Sequence, residues 1–124
     1  MKLKLKYGLP FTNVVLTHNG KSLSFDNFLI DTGSASTIIA AEIAVELSLG
    51  PEPFDAIRKI RGIGGTEYVY EKHIDIIQLD AKKLSNFKIQ IGDMEYGFNI
   101  NGILGMNFLM ESKAIIDLEN MILR

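Results

Sequence analysis

The chain has 124 residues, no cysteine, and 13 Lys+Arg against 15 Asp+Glu. That length makes one domain, residues 1–124, able to bury roughly two-thirds of its unfolded surface. Disulfides and thiolate metal sites are excluded, the near-neutral charge gives no electrostatic case for nucleic acid or an anionic membrane, and no apolar stretch nears the ~20 residues of a membrane span.

From Lys2 to Tyr7 charged and apolar residues alternate, with Lys2, Lys4 and Lys6 on one face. That is strand periodicity, suited to an edge strand or one that joins another subunit. It is not the continuous apolar core of a signal peptide, so a cytoplasmic protein is expected. Phe11 to His18 reads as a second strand, and Asn19-Gly20 as a two-residue hairpin turn. Lys21 to Phe25 returns antiparallel, and Asp26-Asn27 breaks the strand before Phe28-Leu29-Ile30. Ser34 to Thr37 is small and polar, hence a loop. Ala41 to Leu49 predicts a short helix ended by Gly50, with Pro51 and Pro53 stopping any continuation.

Further strands are expected over Ile57 to Ile63, Thr66 to Tyr70, Ile74 to Leu79 and Phe87 to Ile91, with a glycine-rich tip at Gly62-Ile63-Gly64-Gly65. Asn99 to Gly102 turns into a second apolar run, Ile103-Leu104-Gly105. Met106 to Glu111 makes one or two helical turns. Ala114 to Leu118 and Met121 to Leu123 form a terminal hairpin about Glu119-Asn120. Many short strands and little helix predict an all-β domain or a closed barrel.

Several chemical motifs fail. Gly20-Lys21-Ser22 lacks the earlier glycine of a phosphate loop, because Val15 stands there. Gly62-Ile63-Gly64 lacks the third glycine of a dinucleotide fingerprint, because Glu67 takes that place. His18 and His73 have no second ligand at metal spacing and read as surface residues, so no metal or cofactor is expected. Met106 and Met110 have ordinary core spacing.

Asp31 stands apart. The run Phe28-Leu29-Ile30 delivers one carboxylate to the end of a buried strand, and a buried acid must be paired or neutralised. Thr32 adds a hydroxyl, and Gly33 permits a sharp turn. Three elements then stand in order: Asp31-Thr32-Gly33-Ser34 after its apolar run, the tip at Gly62 to Gly65, and Ile103-Leu104-Gly105 before a short helix. Together they resemble the retropepsin-like, or retroviral-type, aspartic protease family over nearly the whole chain.

The resemblance implies a closed β-barrel with one or two short helices, and peptide hydrolysis by a water activated between two carboxylates. Only one Asp-Thr-Gly is present, so it also implies a homodimer that brings Asp31 against its symmetry mate. In that arrangement Thr32 hydrogen-bonds across the axis, Gly33 gives its N–H to the carboxylate, and Ser34 donates to the outer oxygen of Asp31. Gly62, Ile63, Gly64 and Gly65 become a flap over a peptide or protein substrate. Ile103 and Leu104 wall the pocket, and Gly105 lets the backbone pass close under the Asp31 loop.

There are departures. Ala35 and Met106 stand where viral members carry an acid–arginine pair, and the span around Asp80 to Tyr96 is expected as an added segment. Asn107 stands where some relatives carry Asp. A non-catalytic module of the same fold, serving dimerisation or peptide binding, is the alternative function.

Overall fold

The computed structural model describes residues 1–62, 65–94 and 99–124. It is mostly β, with strands β1 (Lys4–Lys6), β2 (Leu9–His18), β3 (Lys21–Ile30), β4 (Ile38–Ala40), β5 (Ile57–Gly62), β6 (Gly65–Leu79), β7 (Lys82–Gly92), β8 (Gly102–Leu104), β9 (Ile116–Asp117) and β10 (Ile122–Leu123). Two short helices complete it, α1 (Ala41–Glu46) and α2 (Met106–Glu111). Among the described residues no helix is long and apolar enough to cross a membrane.

The main sheet runs β1-β2-β3-β8-β4-β7-β6-β5, and β2 also pairs with β6. β1 is therefore an edge, as its lysines imply. It turns into β2 through Tyr7 and Gly8, both at positive φ, a second tight hairpin beside the expected one at Asn19-Gly20.

Three boundaries differ from expectation. Asp26-Asn27 does not break β3; the register against β2 shifts there and Asn27 takes a positive φ, so the pair is a bulge within one long strand. β6 likewise runs unbroken through Glu71-Lys72-His73, because β7 pairs along it, Arg58 of β5 meets Glu71, and Glu52 of the preceding loop meets Lys72. Helix α1 stops before Gly50. Ser48 takes the left-handed conformation (φ 59°), its N–H donates to Val45, and Leu49 N–H reaches back to Ala44 at 2.8 Å. Burial of Leu47 and Leu49 holds this helix end without a glycine. The span from Asp80 makes a turn at Asp80-Ala81 and then forms β7, paired with both β6 and β4. Its last part, residues 95–98, lies outside the described residues.

The core explains the apolar runs. β8 lies between β3 and β4, parallel to the first and antiparallel to the second. β4, β8 and the last three residues of β3, Phe28 to Ile30, are buried on both faces, which is why they read as continuous apolar segments. Alternate side chains enter two clusters. Phe28, Ile30, Ile39 and Leu104 join the larger one, with α1, α2 and the inner face of β6–β7. Leu29, Ile38, Ala40 and Ile103 join a smaller one with Phe11, Met94 and Ile100.

Candidate active site

Asp31 stands one residue beyond β3. Its N–H donates to the Leu104 carbonyl at 3.0 Å, which extends the β3–β8 pairing by one rung. Its side chain is half-buried. Gly33 N–H donates to Asp31 Oδ1 at 2.9 Å, and Ser34 N–H to the Asp31 carbonyl at 3.2 Å. A turn closed on its own acid in this way holds one carboxylate oxygen and leaves the other able to accept. A Cβ on Gly33 would crowd Oδ1 at 3.2 Å. The Ser34 hydroxyl does not serve the acid as expected; it donates to the Ser36 carbonyl at 2.8 Å and so stiffens the loop itself. Thr32 is exposed at the tip of the turn.

Among the described residues no basic group forms an ion pair with Asp31. The surrounding segments carry no second acid either: Asp31 is the sole carboxylate between Phe28 and Ala40, and none lies between Gly102 and Met110. The chain thus presents one rigidly mounted acid.

The mount is made by the second apolar run. Gly105 passes so close beneath the loop that a Cβ would stand 2.1 Å from the Ser36 carbonyl oxygen. Met106 N–H donates to Ser34 at 2.7 Å and Asn107 N–H to Ala35 at 3.2 Å, so the first turn of α2 is capped by the loop carbonyls. Thr37, fully buried, ties the same parts together. Its hydroxyl donates to Asn107 Oδ1 at 2.8 Å and accepts from Gly105 N–H at 3.2 Å. Sequence reasoning missed this clamp. Its one signal was a threonine placed directly before the apolar Ile38-Ile39.

Ile103 and Leu104 are not equivalent. Leu104 is fully buried in the larger cluster, because the strand period sends it inward. Ile103 lies on the other face with Leu29 and Ile38, where Ile60 of β5 packs against the cluster. One face of the β5–β6 hairpin therefore lies over the apolar patch beside Asp31. Gly62 and Gly65 are paired at its end. Ile63 and Gly64 lie outside the described residues.

The root of that hairpin is tethered by charge. Lys72 Nζ lies 2.6 Å from Glu52 and 2.9 Å from Asp55, which fixes the 51–56 loop to β6. The hydrogen bond from Lys72 holds the Asp55 carboxyl below its ordinary 3.8, against some opposing burial. Burial works against the Lys72 charge, but its bonds to Glu52 and Asp55 outweigh this and raise it above 10.5. A depressed carboxylate stabilises the fold above its unfolded value and loses that contribution as pH falls through its folded value. Asp55→Asn is therefore expected to melt a few degrees below wild type at neutral pH. The gap should narrow as pH falls below the ordinary carboxylate value and close once pH is below the lowered value of folded Asp55, in melts recorded across that range.

His73 is exposed, whereas His18 is half-buried beside Asp75 at 3.7 Å. Among the described residues no group of His, Asp and Glu could hold a metal ion. A cavity of about 330 Å³ lined by Ala40, Glu42, Asp93, Met94, Asn99, Ile100 and Asn101 does not include the Asp31 loop.

A family model described as aspartyl protease matches residues 14–108, from within β2 to the first turn of α2. A comparison with curated proteins gives no match. The matched span takes in the Asp31 turn, the β5–β6 hairpin and the Gly105 crossing, most of the chain, and with it the chain belongs to the retropepsin-like aspartyl protease family.

Proposed function

We propose that the protein is an aspartic endopeptidase acting as a two-fold homodimer, with one Asp31 from each copy. The observation that carries this reading is the lone carboxylate on a turn built to hold it, in a family whose chemistry needs two. Two carboxylates a few ångströms apart share one proton. One takes a proton from the attacking water while the other gives its proton to the scissile carbonyl oxygen. The resulting tetrahedral carbon then expels the amine, which leaves with a proton. A pair that shares a proton loses it as pH rises, so turnover is favoured below neutral pH.

In this reading Gly33 N–H steadies Oδ1 of each acid, and the exposed Thr32 hydroxyl reaches across the axis. The hairpin whose strands end in the paired Gly62 and Gly65 closes over the substrate and excludes water. Ile103, with Leu29, Ile38 and Ile60, offers an apolar wall for substrate side chains. The pairings β2-β3-β8-β4-β7-β6, with β6 returning to β2, support reading the sheet as the family's barrel. A peptide library incubated from mildly acid to neutral pH, with and without a transition-state-mimic inhibitor, tests the reading. Cleavage that the inhibitor stops is expected; a folded dimer that cleaves nothing at any pH overturns it.

A further inference from the structure

Cross-strand partners share one face of a sheet. One such row crosses the main sheet: Phe11 stands opposite Leu29, Leu29 opposite Ile103, Ile103 opposite Ile38, Ile38 opposite Gln90, and Gln90 opposite Glu71. Asp31 lies two residues beyond Leu29, so strand alternation puts the row on the face that carries the acid. The row is apolar from Phe11 to Ile38 and polar from Gln90 on.

The polar end is built into the sheet. Gln90 is 8% exposed and the Glu71 side chain 12%. A carboxylate buried that far needs partners. Gln90 Nε2 donates to Glu71 Oε2 at 3.2 Å, Arg58 Nε lies 3.3 Å from Oε1, and Lys88 Nζ lies 4.0 Å from Oε2. The carboxylate fixes the Gln90 amide, whose nitrogen must face it. That leaves Gln90 Oε1 buried without a hydrogen-bond partner, an unmet acceptor that the N–H of a bound peptide would fill. The cations face outward, both more than half exposed. Two of them share one carboxylate, so one positive charge is left over. Arg58 meets Glu71 through Nε, and its exposed guanidinium can take a second carboxylate as well. The Lys88 carbonyl accepts from Asn107 at 3.4 Å, which ties the cluster to the mount of Asp31.

We propose that Arg58 and Lys88, held in place by Glu71 and Gln90, form a subsite for an acidic side chain of a peptide substrate, about three or four residues from the scissile bond. The proposal rests on the peptidase reading above and names the substrate class for it. Its reach follows from the row. Three strand spacings of ~4.8 Å separate Leu29 from Gln90, ~14 Å along the sheet. The sheet curves, since β6 returns to β2, so the straight path is shorter and spans about three or four residues of extended chain at ~3.4 Å each. In the two-fold dimer each copy supplies one such subsite, so the preference falls on both sides of the scissile bond.

Paired peptides that carry Glu or Gln at the third or fourth residue from the cleaved bond, and are otherwise identical, test this in the full chain. At about pH 6 a free Glu is ionised. Wild type is expected to cleave the Glu peptide with kcat/KM about tenfold above the Gln peptide, the difference lying in KM. Arg58→Gln is expected to bring that ratio to within about twofold. Arg58→Gln combined with Lys88→Gln leaves Glu71 without a cation and is expected to turn the preference to a Lys peptide. The same peptides, fluorescently labelled, are titrated against Asp31→Asn to read binding without turnover. Cleavage with a wild-type Glu/Gln ratio near one, or with a ratio that neither variant moves, overturns the subsite and leaves the peptidase reading standing. If Asp31→Asn binds the Glu peptide about tenfold more tightly but wild type cuts neither, the subsite stands and the peptidase reading falls. Peptides neither cut nor bound overturn both.

Discussion

Asp31→Asn is expected to abolish peptide hydrolysis, with kcat/KM falling at least roughly 10³-fold, while the dimer and its melting temperature stay near wild type. The amide keeps the shape of the carboxylate, and its oxygen still accepts the Gly33 N–H that wild-type Asp31 receives at 2.9 Å. The turn is therefore preserved. What is lost is the chemistry: an amide neither takes a proton from water nor lends one to a carbonyl. In the proposed homodimer this variant loses both acids at once, so no half-active form is expected. Hydrolysis within about tenfold of wild type would place the reaction on other residues.

Gly105→Ala should be the most damaging alanine replacement among the described glycines. Its Cβ would meet the Ser36 carbonyl oxygen at 2.1 Å and that of Ser34 at 2.8 Å. Both are backbone atoms, held by Met106 N–H on Ser34 and by the Ser34 hydroxyl on Ser36. Neither can swing aside as a side chain would. The clash must force β8 away from the loop or break the Thr37–Asn107 clamp, at about 3 kcal/mol or more. In thermal melts this is a drop of roughly 10 °C or beyond. Gly50→Ala is the control, because nothing lies within 4 Å of the added Cβ there. It should melt at or slightly above wild type. A Gly105→Ala melt indistinguishable from Gly50→Ala would mean the crossing is looser than drawn.

The apolar runs were legible because strands buried on both faces leave no alternation to misread. Phe28 to Ile30 and Ile103-Leu104 both fell where strands lie. The Asn19-Gly20 hairpin was legible for another local reason, the backbone freedom it needs. Failures came where distant partners override local preference. Asp26-Asn27 looks like a break, but Asn101 donates to the Asp26 carbonyl at 2.8 Å from 75 residues away and holds the bulge in the sheet. Ser34 offers a hydroxyl to Asp31 on paper, yet the loop turns it to Ser36. Leu104 and Ile103 are alike in sequence; only the pleat separates core from site. The Thr37–Asn107 clamp joins residues 70 apart and has no local signature.

The insertion of β8 between β3 and β4 has a consequence for the order of events during synthesis. Ile30 pairs with Leu104, and the Asp31 turn hangs from that rung. A nascent chain emerging at ~5–20 residues per second therefore waits roughly 4–15 s after Asp31 appears before Asn107 exists to complete the mount. Until then the acid sits on an unformed loop. On the aspartic-peptidase reading, a nascent chain stays silent until residue 107 has emerged, however much of the chain before it has already folded.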